Sequence, residues 1–189
     1  MSGRTTPSQT VGPFFSIGFT WLNRVDLTEG AAPENTITIR GRVLDGDGQP
    51  VPDAVLEIWQ ANSNGKYAHP EDAAELVGSE AFWGFGRVPV NDMGEFCFQT
   101  IKPGLLAGPT GTRQAPHLAV SVFMRGLLKR LVTRIYFAGD SGNGLDPVLA
   151  QVPESRRQTL IARAKDSQGK ILVWDVHLQG AEETVFFDC

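Results

Sequence analysis

Short runs in which apolar and polar residues alternate with period two, each closed by glycine or proline, constrain this chain more than any other feature. Successive strand side chains point to opposite faces, so such a run buries one face and wets the other. In "NTITIRGRV", Ile37, Ile39 and Val43 share one side, while Thr36, Thr38, Arg40 and Arg42 share the other. The turn-forming "DGDGQPVPD" follows, and then "AVLEIWQAN", so these two runs are expected to pair as neighbouring strands. "GEFCFQT" sets Phe96 and Phe98 on one face, and "HLAVSVF" does the same with Leu118, Val120 and Val122. "RLVTRIYF" comes after a bend at Gly126, and "KILVWDVHLQG" and "TVFF" read as two closing strands.

One helix is expected, "PESRRQTLIARAK" from Pro153 to about Lys165, with Ser155 and Gln158 at capping-box spacing and Leu160 and Ile161 as its buried stripe. At least seven strands and one short helix predict an all-β sandwich, and 189 residues suit a single domain spanning 1–189. Residues 60 to 92 and 102 to 116 are too long for simple hairpin connections, and loops of that length often carry function.

Seventeen Lys and Arg against 21 Asp and Glu, mixed along the chain, disfavour a nucleic-acid partner. Two cysteines, Cys97 in an apolar strand pattern and Cys189 at the end, do not make a disulfide framework and suit a reducing cytoplasm. The opening "MSGRTTPSQTVGPFF" lacks the apolar core of a secretory signal, and no apolar run is long enough to span a membrane. A cytoplasmic protein is the expectation.

No CxxC, HExxH, Walker or GxSxG string occurs, and "GFGRVPV" (residues 84 to 90) reads as a loop entering a strand. His69 lies in the polar loop "GKYAHPED", and His177 sits on the polar side of its strand, opposite Trp174, Val176 and Leu178. Tyr67 and Tyr136 suit packed amphipathic rings. His117 opens "HLAVSVF" with Ala119 on the same side two positions later, where a metal-binding strand would offer a second donor. It reads either as the remnant of a metal site or as a hydrogen-bonded core histidine.

Four stretches narrow the choice: "TPSQTVGPFF", "GRVLDGDGQPVPDAVLEIWQANSNGKY" (Gly41 to Tyr67), "TIKPG" (100 to 104) and "ETVFFD". In this order they resemble the intradiol ring-cleaving dioxygenases over nearly the whole chain, and within that family the α-type chain of its two-chain members. The resemblance implies a ferric ion held by two tyrosines and two histidines, the phenolates offsetting the Fe(III) charge. The matching positions here are Tyr67, Leu106, His117 and Ala119, so two donors are missing, and Gln114 replaces the arginine three residues before the first histidine.

The resemblance therefore implies a chain that binds no iron itself and walls a site whose Fe(3+) belongs to a β-type partner, in a higher (αβ)n oligomer. There 3,4-dihydroxybenzoate would be cleaved by O2 to 3-carboxy-cis,cis-muconate. Residues 1–34 would form an arm that reaches the partner, with Thr10, Gly12 and Pro13 at its pocket. Arg134, on the side of its strand opposite Leu131, Thr133, Ile135 and Phe137, would favour the substrate's carboxylate. The Phe14 and Phe15 pair and an exposed "TVFF" tail are expected interface anchors. A non-catalytic β-sandwich carrier or binding module is the rival expectation.

Overall fold

The computed structural model of the chain describes residues 7–29, 35–69, 82–108 and 111–188. Its strands are β1 (Thr36–Leu44), β2 (Val55–Gln60), β3 (Phe85–Pro89), β4 (Glu95–Ile101), β5 (Leu106–Ala107), β6 (Arg113–Gln114), β7 (His117–Phe123), β8 (Leu131–Phe137), β9 (Ile161–Ala164), β10 (Ile171–Val173) and β11 (Val176–His177). Two one-turn α-helices accompany them, α1 (Phe14–Ile17) and α2 (Glu154–Arg157). No helix among the described residues is long and apolar enough to cross a membrane.

Nine strands form one sheet that curls over itself, and β5 with β6 makes a separate small ribbon. In one half, β1 carries β4 on one edge and β10 and then β11 on the other; in the second half β3, β2, β7 and β8 run side by side, all antiparallel. The corner is β9. Its Ile161 and Ala162 pair with Tyr136 and Phe137 of β8, and its Arg163 and Ala164 pair with Val173 and Leu172 of β10. A strand that changes partners midway turns the sheet, so the two halves face each other.

The alternation read from the sequence supplies what lies between them. Ile37, Ile39, Val43, Phe96 and Phe98 from one half meet Leu56, Ile58, Val88, Leu118, Val120, Val122 and Ile135 from the other. A second cluster, outside β8, gathers Ala115, Tyr136, Leu149, Val152 and Leu160, with Val185 and Phe187 packed against it.

Four expectations are corrected. "NTITIRGRV" and "AVLEIWQAN" do not pair: β1 and β2 lie in different halves, joined across the turn only by a bridge between Leu44 and Pro50. Two alternating runs joined by a turn fit a hairpin and a crossing between layers equally well, because both bury one face. The helix from Pro153 stops after one turn, becomes a 3-10 turn over Gln158–Leu160 and then continues as β9. Its capping box does not form, since Pro153 holds the N-cap position without a side-chain bond. Backbone partners on β8 and β10 outweigh the weak helical preference of "TLIARA".

"KILVWDVHLQG" is split at Trp174 and Asp175, where the Asp175 carboxylate accepts the Arg42 backbone N–H at 2.8 Å in place of a continuous ladder. "TVFF" forms no strand and is no exposed tail: Thr184 is buried, Phe186 packs on the main core, and Phe187 makes a single bridge to Val132. Cys97 faces outward from β4, while Cys189 lies outside the described residues.

Candidate functional site

The faces of β2, β3, β7 and β8 turned away from the core carry a row in register across four strands: Phe85, Trp59, Ala119 and Arg134. Residues opposite one another in such a sheet share a face, so an aromatic end and a cationic end flank one methyl group. Beside this row His117 pairs with Tyr136.

Loops bring two further positions to it. After β2 the "ANSNGKY" segment closes on itself, the Asn62 side chain accepting the backbone N–H groups of Asn64 (2.9 Å) and Lys66 (3.0 Å). Gly65 takes φ +74°, in the left-handed region that glycine adopts without strain. Gly104 donates its N–H to the Asn62 carbonyl at 3.0 Å, and a side chain on Gly104 would collide with the Ser63 carbonyl, so the "KPG" turn and this loop touch backbone to backbone. As a result Tyr67 stacks on Trp59, with ring centroids 5.6 Å apart and planes 10° apart. Leu106, buried in β5, is in register with Gln114 of β6.

Tyr67, through its stack on Trp59, and Leu106, through Gln114, thus lie beside the row that holds Ala119, with His117 next to it. Their chemistry does not suit a ferric ion. Leu106 and Ala119 have no lone pair to give, and the two remaining donors cannot make up a four-ligand set. Among the described residues no three His, Cys, Asp or Glu side chains are grouped to hold a metal.

What occupies the patch instead is a polar chain. Arg134 donates through Nη1 to Gln114 Oε1 at 2.7 Å and to Tyr136 Oη at 3.3 Å. Tyr136 in turn donates to Asp146 Oδ1 at 3.2 Å. Asp146 is fully buried and accepts three backbone N–H groups as well, from Ala115 at 2.8 Å, Val148 at 2.9 Å and Leu149 at 2.8 Å, so its charge is met by four donors. Burial pushes the Tyr136 hydroxyl up to about 12, which keeps it protonated and able to donate.

His117, 2% exposed, bonds through Nδ1 with the Ala115 carbonyl at 2.8 Å. Burial first, and then the nearby Arg134 charge, lower its pKa to about 4, so the imidazole is neutral. His117 is therefore a buried, hydrogen-bonded core residue at the position that the resemblance matches to a ligand.

The N-terminal positions lie elsewhere on the same face. Thr10 Oγ1 accepts the Gly126 N–H at 2.8 Å, beyond the end of β7, whereas Arg134 is opposite Ala119, four residues back along that strand, roughly 13 Å. Phe15 docks the segment: its ring lies 4.8 Å from that of Phe123 and under the Arg87 guanidinium, which also donates to the Phe15 carbonyl and pairs with Glu57 at 3.0 Å. Gly12 and Pro13 are exposed, and a side chain on Gly12 would meet none of the described residues. Thr10, Gly12 and Pro13 are therefore not brought to Arg134 within one chain.

Of the other candidates, His69 is exposed, and His177 lines a groove of about 290 Å³ far along the chain on β11. Sequence reasoning missed Asp146 altogether and passed over Tyr136. The alternation that sets Arg134 apart from Thr133 and Ile135 places residue 136 on the same face and was the available signal for Tyr136. No comparable pattern marks Asp146.

A family model described as Dioxygenase matches residues 12–180. The chain is 40% identical to the protocatechuate 3,4-dioxygenase alpha chain of Pseudomonas putida, a match covering 97% of this chain and 96% of that one. It is 35% identical to the beta chain of the same enzyme from Burkholderia cepacia, covering 84% of this chain and 73% of that one. Among solved structures, the dioxygenase domain of a dioxygenase carbohydrate-binding fusion from Streptomyces sp. SirexAA-E aligns with a TM-score of 0.63 at 25% identity, covering 84% of this chain and 89% of that one.

Proposed function

The chain belongs to the intradiol dioxygenase family, and from that premise we propose that it is the α subunit of a protocatechuate 3,4-dioxygenase, completing a site whose iron is held by a β subunit. The observation that carries the reading is the near end-to-end match to an α chain, over 96% of that chain's length. The donor set supports it: a chain with leucine and alanine at two ligand positions contributes to oxygen-dependent ring cleavage by shaping and charging a pocket. The β subunit supplies the redox-capable centre at which the catechol is activated.

The N-terminal arm supports the same reading. Phe14 is 72% exposed, Trp21 76% and Ile17 63%, an apolar set that another chain would bury. Gly12 has open space around it among the described residues, which leaves room for the close approach that a glycine permits. Thr10, Gly12 and Pro13 would then line the partner's pocket. Phe14 is the anchor offered outward, whereas Phe15 is spent on holding the arm to Phe123 and Arg87.

Arg134 is the group on this chain suited to the substrate's carboxylate. Its guanidinium is half-buried and forms no ion pair among the described residues, and a planar fork matches a carboxylate in two bonds. In the assembled enzyme, Arg134→Ala is expected to lower kcat/KM for 3,4-dihydroxybenzoate on the order of 30-fold while changing that for unsubstituted catechol less than about twofold. Steady-state kinetics on both substrates decide; equal losses reject the carboxylate role.

A further inference from the structure

We infer that Gln114 is a positioning residue for substrate recognition, bracing Arg134 so that one edge of its guanidinium stays turned to the substrate's carboxylate; this rests on the reading of Arg134 given above. Arginine carries large rotamer entropy, and a free guanidinium would lose it on binding. Here Nη1 is committed on both sides, to Gln114 Oε1 at 2.7 Å and Tyr136 Oη at 3.3 Å, whereas Nε and Nη2 bond to none of the described residues. The edge formed by Nε and Nη2 is one that binds a carboxylate in two parallel bonds.

The brace has a fixed polarity. Asp146 only accepts, so it takes the single Tyr136 proton, and the Tyr136 oxygen is left to accept from Arg134. Gln114 closes the other side from the β5 and β6 ribbon, which buried Leu106, its register partner, anchors. Ala119 completes the arrangement. It is the register partner of Arg134, with Cβ atoms about 5 Å apart in such a pair, so an imidazole there would crowd the arginine stem. The two missing donors, at 106 and 119, and the glutamine at 114 are thus all compatible with a seat for a cation at Arg134.

The test uses the assembled two-chain enzyme carrying Gln114→Leu, Gln114→Glu, Arg134→Ala or the Gln114→Leu and Arg134→Ala pair, with co-purification and melting temperature confirming that each assembles. Gln114→Leu, similar in size without the acceptor, is expected to raise KM for 3,4-dihydroxybenzoate on the order of 5-fold to 10-fold, with kcat and all catechol kinetics within about twofold. Gln114→Glu, which keeps an acceptor but sets a second carboxylate against the guanidinium, should raise KM for 3,4-dihydroxybenzoate at least as much as Gln114→Leu, and the pair should be no worse than Arg134→Ala alone. An unchanged KM in Gln114→Leu while Arg134→Ala raises it overturns the positioning role and leaves the reading of Arg134 standing. So does a loss shared equally by both substrates, the mark of a merely structural residue. If Arg134→Ala itself fails to discriminate the two substrates, the reading of the pocket falls, and the bracing role with it.

Discussion

Purified without a partner, this chain is expected to be colourless, to hold no stoichiometric iron and to leave 3,4-dihydroxybenzoate intact; purified with an iron-bearing β chain, the pair should be coloured, loaded with iron and active on that substrate. The reasoning is coordination chemistry. The resemblance implies a ferric ion held by two phenolates and two imidazoles, and on that reading the second phenolate position here would be the buried hydrocarbon of Leu106 and the second imidazole position the methyl of Ala119. Iron analysis, the visible band that a tyrosinate gives when bound to Fe(III), and an oxygen-uptake assay on chain and pair are the measurements. An isolated chain that is coloured, loaded with iron and active would refute the assignment.

The second large effect concerns stability. With its pKa lowered to about 4 by burial and then by the Arg134 charge, His117 stays neutral in the folded chain over a range where it is protonated once unfolded. Between the unfolded value of 6.5 and about 4 the unfolded state therefore binds more protons, and stability rises with pH. The contribution is fully present above 6.5 and is lost on acidification toward 4, at about 1.4 kcal/mol per pH unit within that window. Urea unfolding of the wild-type chain and His117→Gln at pH 7 and pH 5 isolates it. The variant loses packing equally at both values, so its deficit should shrink on acidification. Parallel profiles would mean that His117 is charged, or exposed, in the folded state.

The burial pattern was legible where one face of a strand meets the core. Ile37, Ile39, Phe96, Phe98, Leu118, Val120 and Val122 are all buried as their alternation requires, and Arg134 falls on the face away from Thr133 and Ile135. Neighbours were not legible. Period two says which way a side chain points and nothing about which strand lies alongside, so β1 and β2 were paired when they belong to opposite halves. The stretch after Pro153 failed for a related reason: "TLIARA" takes its conformation from the open edges of β8 and β10, which no local preference records. The "TVFF" tail packs on both clusters of its own chain rather than standing exposed.

At the site the division is similar. The sequence by itself determined which donors are present, because leucine and alanine cannot coordinate a metal in any fold, and it placed His117 and Ala119 on one side of a strand. Only the tertiary structure decided that residues as far apart as Gln114, Arg134, Tyr136 and Asp146 form one hydrogen-bonded chain beside His117 and Ala119, and that Thr10, Gly12 and Pro13 lie away from it. Chemical identity is a property of single residues. Direction, partnership and reach depend on how separate strands are brought into register, and that is settled by the packing of the whole chain.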